Sequence, residues 1–437
     1  MKNFSHKKLG PRKICAIVLL SILLAILALP MTACGGVKPG KKETTIYIAT
    51  DIHLFSNNLI GENNQVYLKD KFLSDGRIQE YDYQLVKALV DEVNAEKPEF
   101  LILTGDLSFN GERDSHLELV KMLKEVNSNT KVLVIPGNHD VYSLDAVSVK
   151  EDKIEAIEGI TSEEFREIYS DFGYSGAYSY DENSLSYIYE LDDDKWVLML
   201  DTTQSKYNKE NGSAIVGGCV EEATMHWLEE KLRLAKEKGI SVISFTHHNL
   251  MIHNELFKSR YTLYNYEQVM ALYAKYGVSL NFSGHLHVQS IKGAEVDGRQ
   301  IYDISGGSLL DYGNRYGTLE IYDNCYSYES HMVNAESYVE NLRDYSFDVF
   351  CRKYYNKTLW TYQSKLDKEK AEEVTELLSE INTYYFDGDY EQIHKLVKKN
   401  KKLIKLIKEN TAAYDSSYIK SIIEVPKENQ HYLLIER

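Results

Sequence analysis

Residues 131–140 read Lys-Val-Leu-Val-Ile-Pro-Gly-Asn-His-Asp. Lys131 to Ile135 is a short β-forming run, and Pro136-Gly137 stops it. Directly after the stop stand Asn138, His139 and Asp140, side chains that bind ions or move protons. The same construction recurs on both sides. Upstream, Phe100 to Thr104 ends at Gly105-Asp106, and Thr45 to Thr50 ends at Asp51-Ile52-His53. Downstream, Ser241 to Thr246 ends at His247-His248, and Val278 to Phe282 leads into Gly284-His285-Leu286-His287.

Helical stretches separate these runs. Gln84 to Ala95 places Leu85, Ala88, Leu89 and Val93 on one face, Leu117 to Val126 reads as a helix, and 218–238 holds another around Trp227, Leu228 and Leu232. Trp196 to Leu200, Arg299 to Leu310 and Gly317 to Asp323 read as further strands. Alternating strands and helices predict a layered α/β fold, and open α/β sheets place ligands at the carboxyl ends of their strands. Two regions depart from the pattern. Residues 141–176 read as an insertion or a helical excursion, and Ala177 to Leu191 reads as a hairpin around Asp181-Glu182-Asn183.

Seven residues at these strand ends are metal donors: Asp51, His53, Asp106, Asn138, His247, His285 and His287. Imidazole with carboxylate oxygen suits Zn, Fe or Mn, and no thiolate is present to favour a softer ion. Seven donors are too many for one tetrahedral ion and fit two ions if one carboxylate bridges. In Asp51-x-His53 and in His285-x-His287 the two side chains share one side of an extended segment, because its period is two. Gly105, Gly137 and Gly284 precede donors and let the backbone approach the ions closely. A lone Asp-x-His arises by chance, and a buried histidine is usually a hydrogen-bonded core residue. Five ordered motifs, each after a β-type run, are not explained that way.

In its Asp-x-His, Gly-Asp, Gly-Asn-His-Asp, His and Gly-His-x-His motifs, residues 44–323 resemble the calcineurin-like metallophosphoesterase family. The resemblance implies a two-sheet α/β sandwich flanked by helices. It implies one metal site of Asp51, His53, the bridging Asp106 and His287, and a second of Asp106, Asn138, His247 and His285. Such a pair of Mn, Fe or Zn ions activates a bridging hydroxide for in-line attack on phosphorus and neutralises charge on the phosphoryl group. His139 matches the family residue that protonates the leaving oxygen, and with Asn138 it binds the substrate's phosphate.

Departures narrow the class. The segment 105–111 lacks the Asp and Arg of Ser/Thr protein phosphatases, and Phe109 has no hydroxyl where purple acid phosphatases place a ligand tyrosine. The layout resembles Gram-positive lipoprotein phosphodiesterases of the class III cyclic-nucleotide group: lipobox, catalytic domain, helical tail. The alternative is an extracellular 5′-nucleotidase or broad phosphomonoesterase, ranked second because the tail is short and helical. A lipoprotein that binds phosphorylated ligands without turnover is a further reading, and the complete donor set with His139 speaks against it. Among neighbouring residues, His248 and Asn249 follow His247, and His248 either orients a ligand or is structural. His116 reads as a helix start rather than a site residue. His253, Tyr312 and Asn314 are candidates for the pocket wall.

The 437 residues carry a net charge of −16, and with 43% hydrophobic and 27% charged residues the chain can bury a sizeable core. That acidity excludes a bulk nucleic-acid binder; the partner that the resemblance implies is a small nucleotide-like phosphoester. Residues 1–33 hold Lys2, Lys7, Lys8, Arg12, Lys13 and no acid, which leaves the rest at −21. An apolar run, Ile14 to Leu29, follows this basic start and ends at Pro30 before Met31-Thr32-Ala33-Cys34. That is a signal-peptide pattern, and the run is short for a spanning helix, which needs about 20 residues. Met-Thr-Ala-Cys resembles a lipobox and predicts lipidation of Cys34. The expected domains are a leader at 1–33, a tether at 34–43, the catalytic domain at 44–333 and a helical domain at 334–437. The expected location is outside the cytoplasmic membrane, lipid-anchored. There, Cys219, Cys325 and Cys351 read as buried thiols.

In the last hundred residues, Ser337 to Trp360, Asp367 to Tyr385 and Gln392 to Glu409 have helical spacing, which predicts an all-helical domain. Its tyrosines read as core. Lys395 to Lys408 holds seven lysines among aliphatic residues and reads as an amphipathic helix packed on the enzyme, not as a membrane-surface helix.

Overall fold

The computed structural model describes residues 37–61, 76–150, 153–410 and 413–437. The leader run and Cys34 lie outside the described residues. No described helix is long and apolar enough to cross a membrane. Residues 40–437 form one compact unit.

Two sheets carry the unit. Strand β1 (Lys42–Ala49) pairs in parallel with β2 (Phe100–Leu103), and β2 pairs with β3 (Lys131–Val134). Helices α1 (Asp82–Glu96) and α2 (Arg113–Leu123) make the two crossovers. A short hairpin, β4 (Val147–Lys150) with β5 (Lys153–Ala156), and helix α3 (Ser162–Ile168) fill the region read as an insertion. A Thr161–Glu164 capping box starts that helix. The expected hairpin follows as β6 (Ser179–Tyr180) and β7 (Tyr187–Asp192).

The second sheet continues with β8 (Lys195–Leu200), β9 (Ser241–Thr246), β10 (Leu280–Ser283) and β12 (Arg299–Ser305) in parallel, and β11 (Ser290–Val296) pairs antiparallel with β12. Between its strands lie α4 (Asn208–Asn211), α5 (Glu222–Lys238), α6 (Lys258–Tyr261) and α7 (Tyr266–Tyr276). Strands β13 (Arg315–Tyr322) and β14 (Cys325–Met332) return to the first sheet beside β1.

Alternation along β8 shows how the layers form. Val197 and Met199 point into the core shared with the first sheet. Trp196, Leu198 and Leu200 point outward, into a second cluster with Leu228 and Leu232 of α5 and Val269 of α7. Every residue of β8 is buried, as a strand covered on both faces requires.

The expected helical region comprises α8 (Leu342–Gln363), α9 (Lys368–Asp387), α10 (Tyr390–Lys399), α11 (Lys401–Asn410) and α12 (Ala413–Ile423). Asn400 divides the lysine-rich stretch into two helices, and their Ile393, Ile404 and Ile407 are buried in a third apolar cluster. Leu286 and Val288, which flank His287, belong to that same cluster, so these helices pack on the chain beside candidate ligands. The chain end departs from the all-helical expectation. β15 (Tyr432–Glu436) adds to β14 as an antiparallel edge strand and extends the first sheet to six strands. Cys325 is buried, Cys219 and Cys351 are half-buried, and all three are free thiols.

Candidate metal centre

The parallel strands deliver their donors to one end of the unit. Loops after β1 and β2 are joined by backbone bonds, Asp51 N to Gly105 O at 3.1 Å and His53 N to Asp106 O at 2.8 Å. Gly284 N donates to His247 O at 2.9 Å and ties the two later loops together. Asp51, His53, Asp106, His285 and His287 all have left-handed φ, between 45° and 65°. Non-glycine residues held there carry strain of about 1–3 kcal/mol each, which only a tightly determined surrounding maintains. The glycines make room. A β-carbon on Gly284 would collide with Thr50 Oγ1 and the Asp51 carboxylate, and one on Gly137 with the Asp106 carboxylate.

Two donor groups result. Asp51, His53, Asp106 and His287 bring one atom each within 4.8 Å of one another, and Asp106, His247 and His285 do the same. Asp106 belongs to both. Asn138 Oδ1 lies 3.1 Å from His247 Nε2 and extends the second group. All seven strand-end donors are therefore brought together.

Hydrogen bonds aim the rings. His247 Nδ1 donates to Thr104 O at 2.9 Å, which turns Nε2 toward Asp106 Oδ1, 3.3 Å away. His285 Nε2 donates to Arg260 O at 3.0 Å and leaves Nδ1 as its lone-pair atom. His287 Nδ1 donates to Asp311 Oδ2 at 2.7 Å, and its Nε2 lies 3.1 Å from Asp51 Oδ1. Such outer partners fix tautomer and ring orientation. The chemistry of the donor set fits metal ions. His53 Nε2 faces His287 Nε2 at 3.4 Å, with Asp106 Oδ2 at 3.7 Å and Asp51 Oδ1 at 4.0 Å. Buried lone pairs converging in this way are satisfied by cations.

Charges respond to this crowding. Burial opposes ionisation of Asp106, yet the rings of His247 and His139 outweigh it and hold the carboxyl well below its ordinary range. Burial likewise disfavours the charged form of His247, but the Asp106 carboxylate pushes that ring up to about 9. His285 goes the other way: burial, then the neighbouring His247, lowers it to about 3.

His139 stands beside the shared carboxylate. Its backbone N–H donates to Asp106 Oδ1 at 3.0 Å, and its Nε2 lies 3.9 Å from Asp106 Oδ2. Nδ1 is held by Asn110 Oδ1 at 2.7 Å and Phe109 O at 3.1 Å. Asp140 is not a donor to the centre. Its carboxylate accepts from Gly137 N, Leu107 N and Ser108 N at 2.8–3.1 Å and clamps the two loops that carry Asp106 and Asn138.

The further candidates separate. His248 is structural in its bonds, to Thr202 Oγ1 at 2.8 Å and Val216 O at 2.9 Å, and its ring packs on His285 at 4.4 Å between centroids. Asn249 holds the loop before His285 through Ser283 Oγ and Gly284 O. His116 is fully buried between Tyr169 OH and Asp140 O, away from the donors. The three candidates for the pocket wall, His253, Tyr312 and Asn314, do not line the cavity at the centre. His253 is bound to Asp303, Tyr312 packs on Phe347, and Asn314 bonds Leu309 O.

That cavity, of about 650 Å³, has Asp106, Asn138, His139, His285 and His287 on one side. Side chains of α8, α9 and α12 form the other side. Sequence reading missed Asp311, Arg77, Lys353 and Lys357 there. Asp311 directly follows the run Arg299 to Leu310 but belongs to none of the five motifs, and the other three stand in no motif either.

The calcineurin-like phosphoesterase family model matches residues 44–289, more than half of the chain. The chain belongs to that family of metal-dependent hydrolases. No curated protein matches it. Among solved structures it is similar to a dimetal phosphatase from Danio rerio, at 14% identity over 67% of this chain and 98% of that one, with a TM-score of 0.47. It is also similar to the sulfate thiohydrolase SoxB of Thermus thermophilus, at 12% identity over 76% of this chain and 63% of that one, with a TM-score of 0.35.

Proposed function

We propose that the chain is a two-metal phosphodiesterase acting on nucleotide diesters, cyclic nucleotides among them, exported and anchored by a lipid on Cys34. The observation that carries the reading is His139 Nε2 at 3.9 Å from Oδ2 of Asp106, the carboxylate common to both donor groups, at the wall of a roughly 650 Å³ cavity. Asp51, His53, Asp106 and His287 would hold one ion, and Asp106, Asn138, His247 and His285 the other. Mn, Fe or Zn bound there supplies Lewis acidity toward phosphoryl oxygens and an activated water. The chain's own residues do the rest. Asn138 and His139 meet the phosphoryl group, and a proton on His139 Nε2 goes to the departing oxygen, with Asn110 and Phe109 O holding the ring in place. A cavity of this size accommodates an organic group beyond the phosphate. The basic start, the apolar run and Met31-Thr32-Ala33-Cys34, before a family match that begins at residue 44, support export.

The test is release of p-nitrophenol from bis-p-nitrophenyl phosphate by purified protein with Mn²⁺, with Asp106→Ala as the control for contaminating activity. Absence of metal-dependent release overturns the hydrolase reading. Dephosphorylation of 5′-AMP with cyclic AMP left intact overturns the diester preference.

A further inference from the structure

One donor of the second group takes its orientation from outside the sheets. His285 Nε2 donates to Arg260 O at 3.0 Å. A carbonyl can only accept, so this bond puts the ring proton on Nε2 and leaves Nδ1 for a cation. Arg260 lies in α6, a helix of four residues, and a single 3₁₀ turn, Glu255–Phe257, precedes it. Elements this short do not hold their own shape.

The base of the segment is tied to the chain after β9. Asn249 N donates to Tyr261 O and Leu263 N to Asn249 O, both at 3.0 Å. Its far end is held by the C-terminal helices. Asn254 Nδ2 donates to Tyr385 OH of α9 at 2.7 Å and to Ser421 Oγ of α12 at 3.1 Å, across 131 and 167 residues of sequence. Ser421 Oγ spends its own proton on Tyr418 O, at 2.7 Å, and so accepts from Asn254. Asn254 Oδ1 accepts from Leu256 N at 3.0 Å, so one buried side chain both starts the turn and fastens it to two helices. Rings continue the connection. Phe257 and Tyr261 pack against the apolar cluster of the helical segment. Phe257 stands 5.6 Å from Tyr418 and 5.5 Å from Tyr261, whose ring is 5.0 Å from that of His285.

We propose, resting on the two-metal reading, that Asn254, Tyr385 and Ser421 are positioning residues for the second metal site. The helical segment clamps residues 254–261, and the clamp holds Arg260 O where the ring of His285 needs it. His287, in the first group, takes its orienting bond from Asp311 instead. Loss of the clamp's hydrogen bonds therefore acts on one site of the two.

The test compares the full chain with the double variant Tyr385→Phe/Ser421→Ala, which removes both acceptors and keeps the ring. Asn254→Ser, which keeps an oxygen to start the turn and loses both donations, is a second route to the same comparison should the double variant fail to fold. Mn²⁺ is titrated calorimetrically into the metal-free proteins, and the spin-coupled signal of a Mn²⁺ pair is followed by electron paramagnetic resonance. The expected result is an affinity for the second ion lower by about 10-fold, the smaller end of the range for losing an outer partner, with the first ion unchanged. The coupled signal then gives way to that of isolated Mn²⁺. Ser421→Thr keeps both acceptors and should stay at the wild-type value. Equal weakening of both ions, as a merely structural role would give, or weakening of neither, overturns the proposal. Nitrogen-15 resonances of His285 in the metal-free proteins, assigned with His285→Gln, read the tautomer directly: Nε2–H alone in wild type, a mixture in the variants. If the wild-type chain binds fewer than two Mn²⁺ ions, the two-metal reading fails, and the tautomer by itself then supports or overturns the clamp.

Discussion

His287 Nδ1 donates to Asp311 Oδ2 at 2.7 Å, and this bond turns Nε2 of the same ring toward Asp51, 3.1 Å away. An aspartate after the last strand of the second sheet thus orients a donor of the first metal group. Removing its charge in Asp311→Asn weakens the basicity and the fixed tautomer of His287. The expected outcome is a metal affinity lower by about 10–100-fold, read as the Mn²⁺ concentration needed for half-maximal turnover. Unaltered Mn²⁺ dependence would show that Asp311 does not position the ring.

His139 is expected to matter in proportion to how badly the departing oxygen needs a proton. His139→Gln should lower kcat on an alkyl diester by about 10²–10⁴-fold and much less on bis-p-nitrophenyl phosphate, whose phenolate leaves unaided. Metal content, measured by atomic spectroscopy, should stay at the wild-type value. Equal losses on both substrates would remove His139 from the acid role.

Gly284→Ala places a methyl group against Thr50 Oγ1 and the Asp51 carboxylate, to which His285 N donates at 2.9 Å. The variant should fold and bind less metal, with activity falling in step. Wild-type metal stoichiometry would refute the packing argument.

Arg315 and Asp387 join β13 to α9 through a buried pair, Nε to Oδ1 at 2.6 Å. Arg315→Met leaves Asp387 buried and unpaired, at a cost of about 3–5 kcal/mol. Urea unfolding should show that loss, and Arg315→Met with Asp387→Leu should recover most of it.

Asp82 is buried below the first donor loop and accepts from Phe55 N at 2.8 Å and Gln79 Nε2 at 2.7 Å. Burial raises its carboxyl to about 7, the hydrogen bonds offsetting only part of that effect. Its folded value lies above the unfolded one of about 3.9. The native state therefore binds the extra proton, and this stability is complete below about pH 4 and lost as pH rises through about 7. Relative to wild type, Asp82→Asn should cost less stability at pH 8 than at pH 5 in urea titrations. A constant difference would contradict the raised carboxyl.

The amino-acid sequence by itself determined the strands that lead into the five motifs and the candidate donors at their ends. Continuous β-forming apolar runs such as Thr45–Thr50 and Lys131–Ile135, each stopped before a polar cluster, are local patterns, and the candidate donors Asp51, His53, Asp106, Asn138, His247, His285 and His287 could be read from them. Only the tertiary structure decided what surrounds them. β15 joins β14, and Asp311 finds His287, across separations in sequence that leave no local signature. The tyrosines of α8 read as core from sequence, and its lysines stand in no motif. What makes them cavity wall is the docking of that segment around Leu286 and Val288, a packing event decided by burial of apolar surface far along the chain.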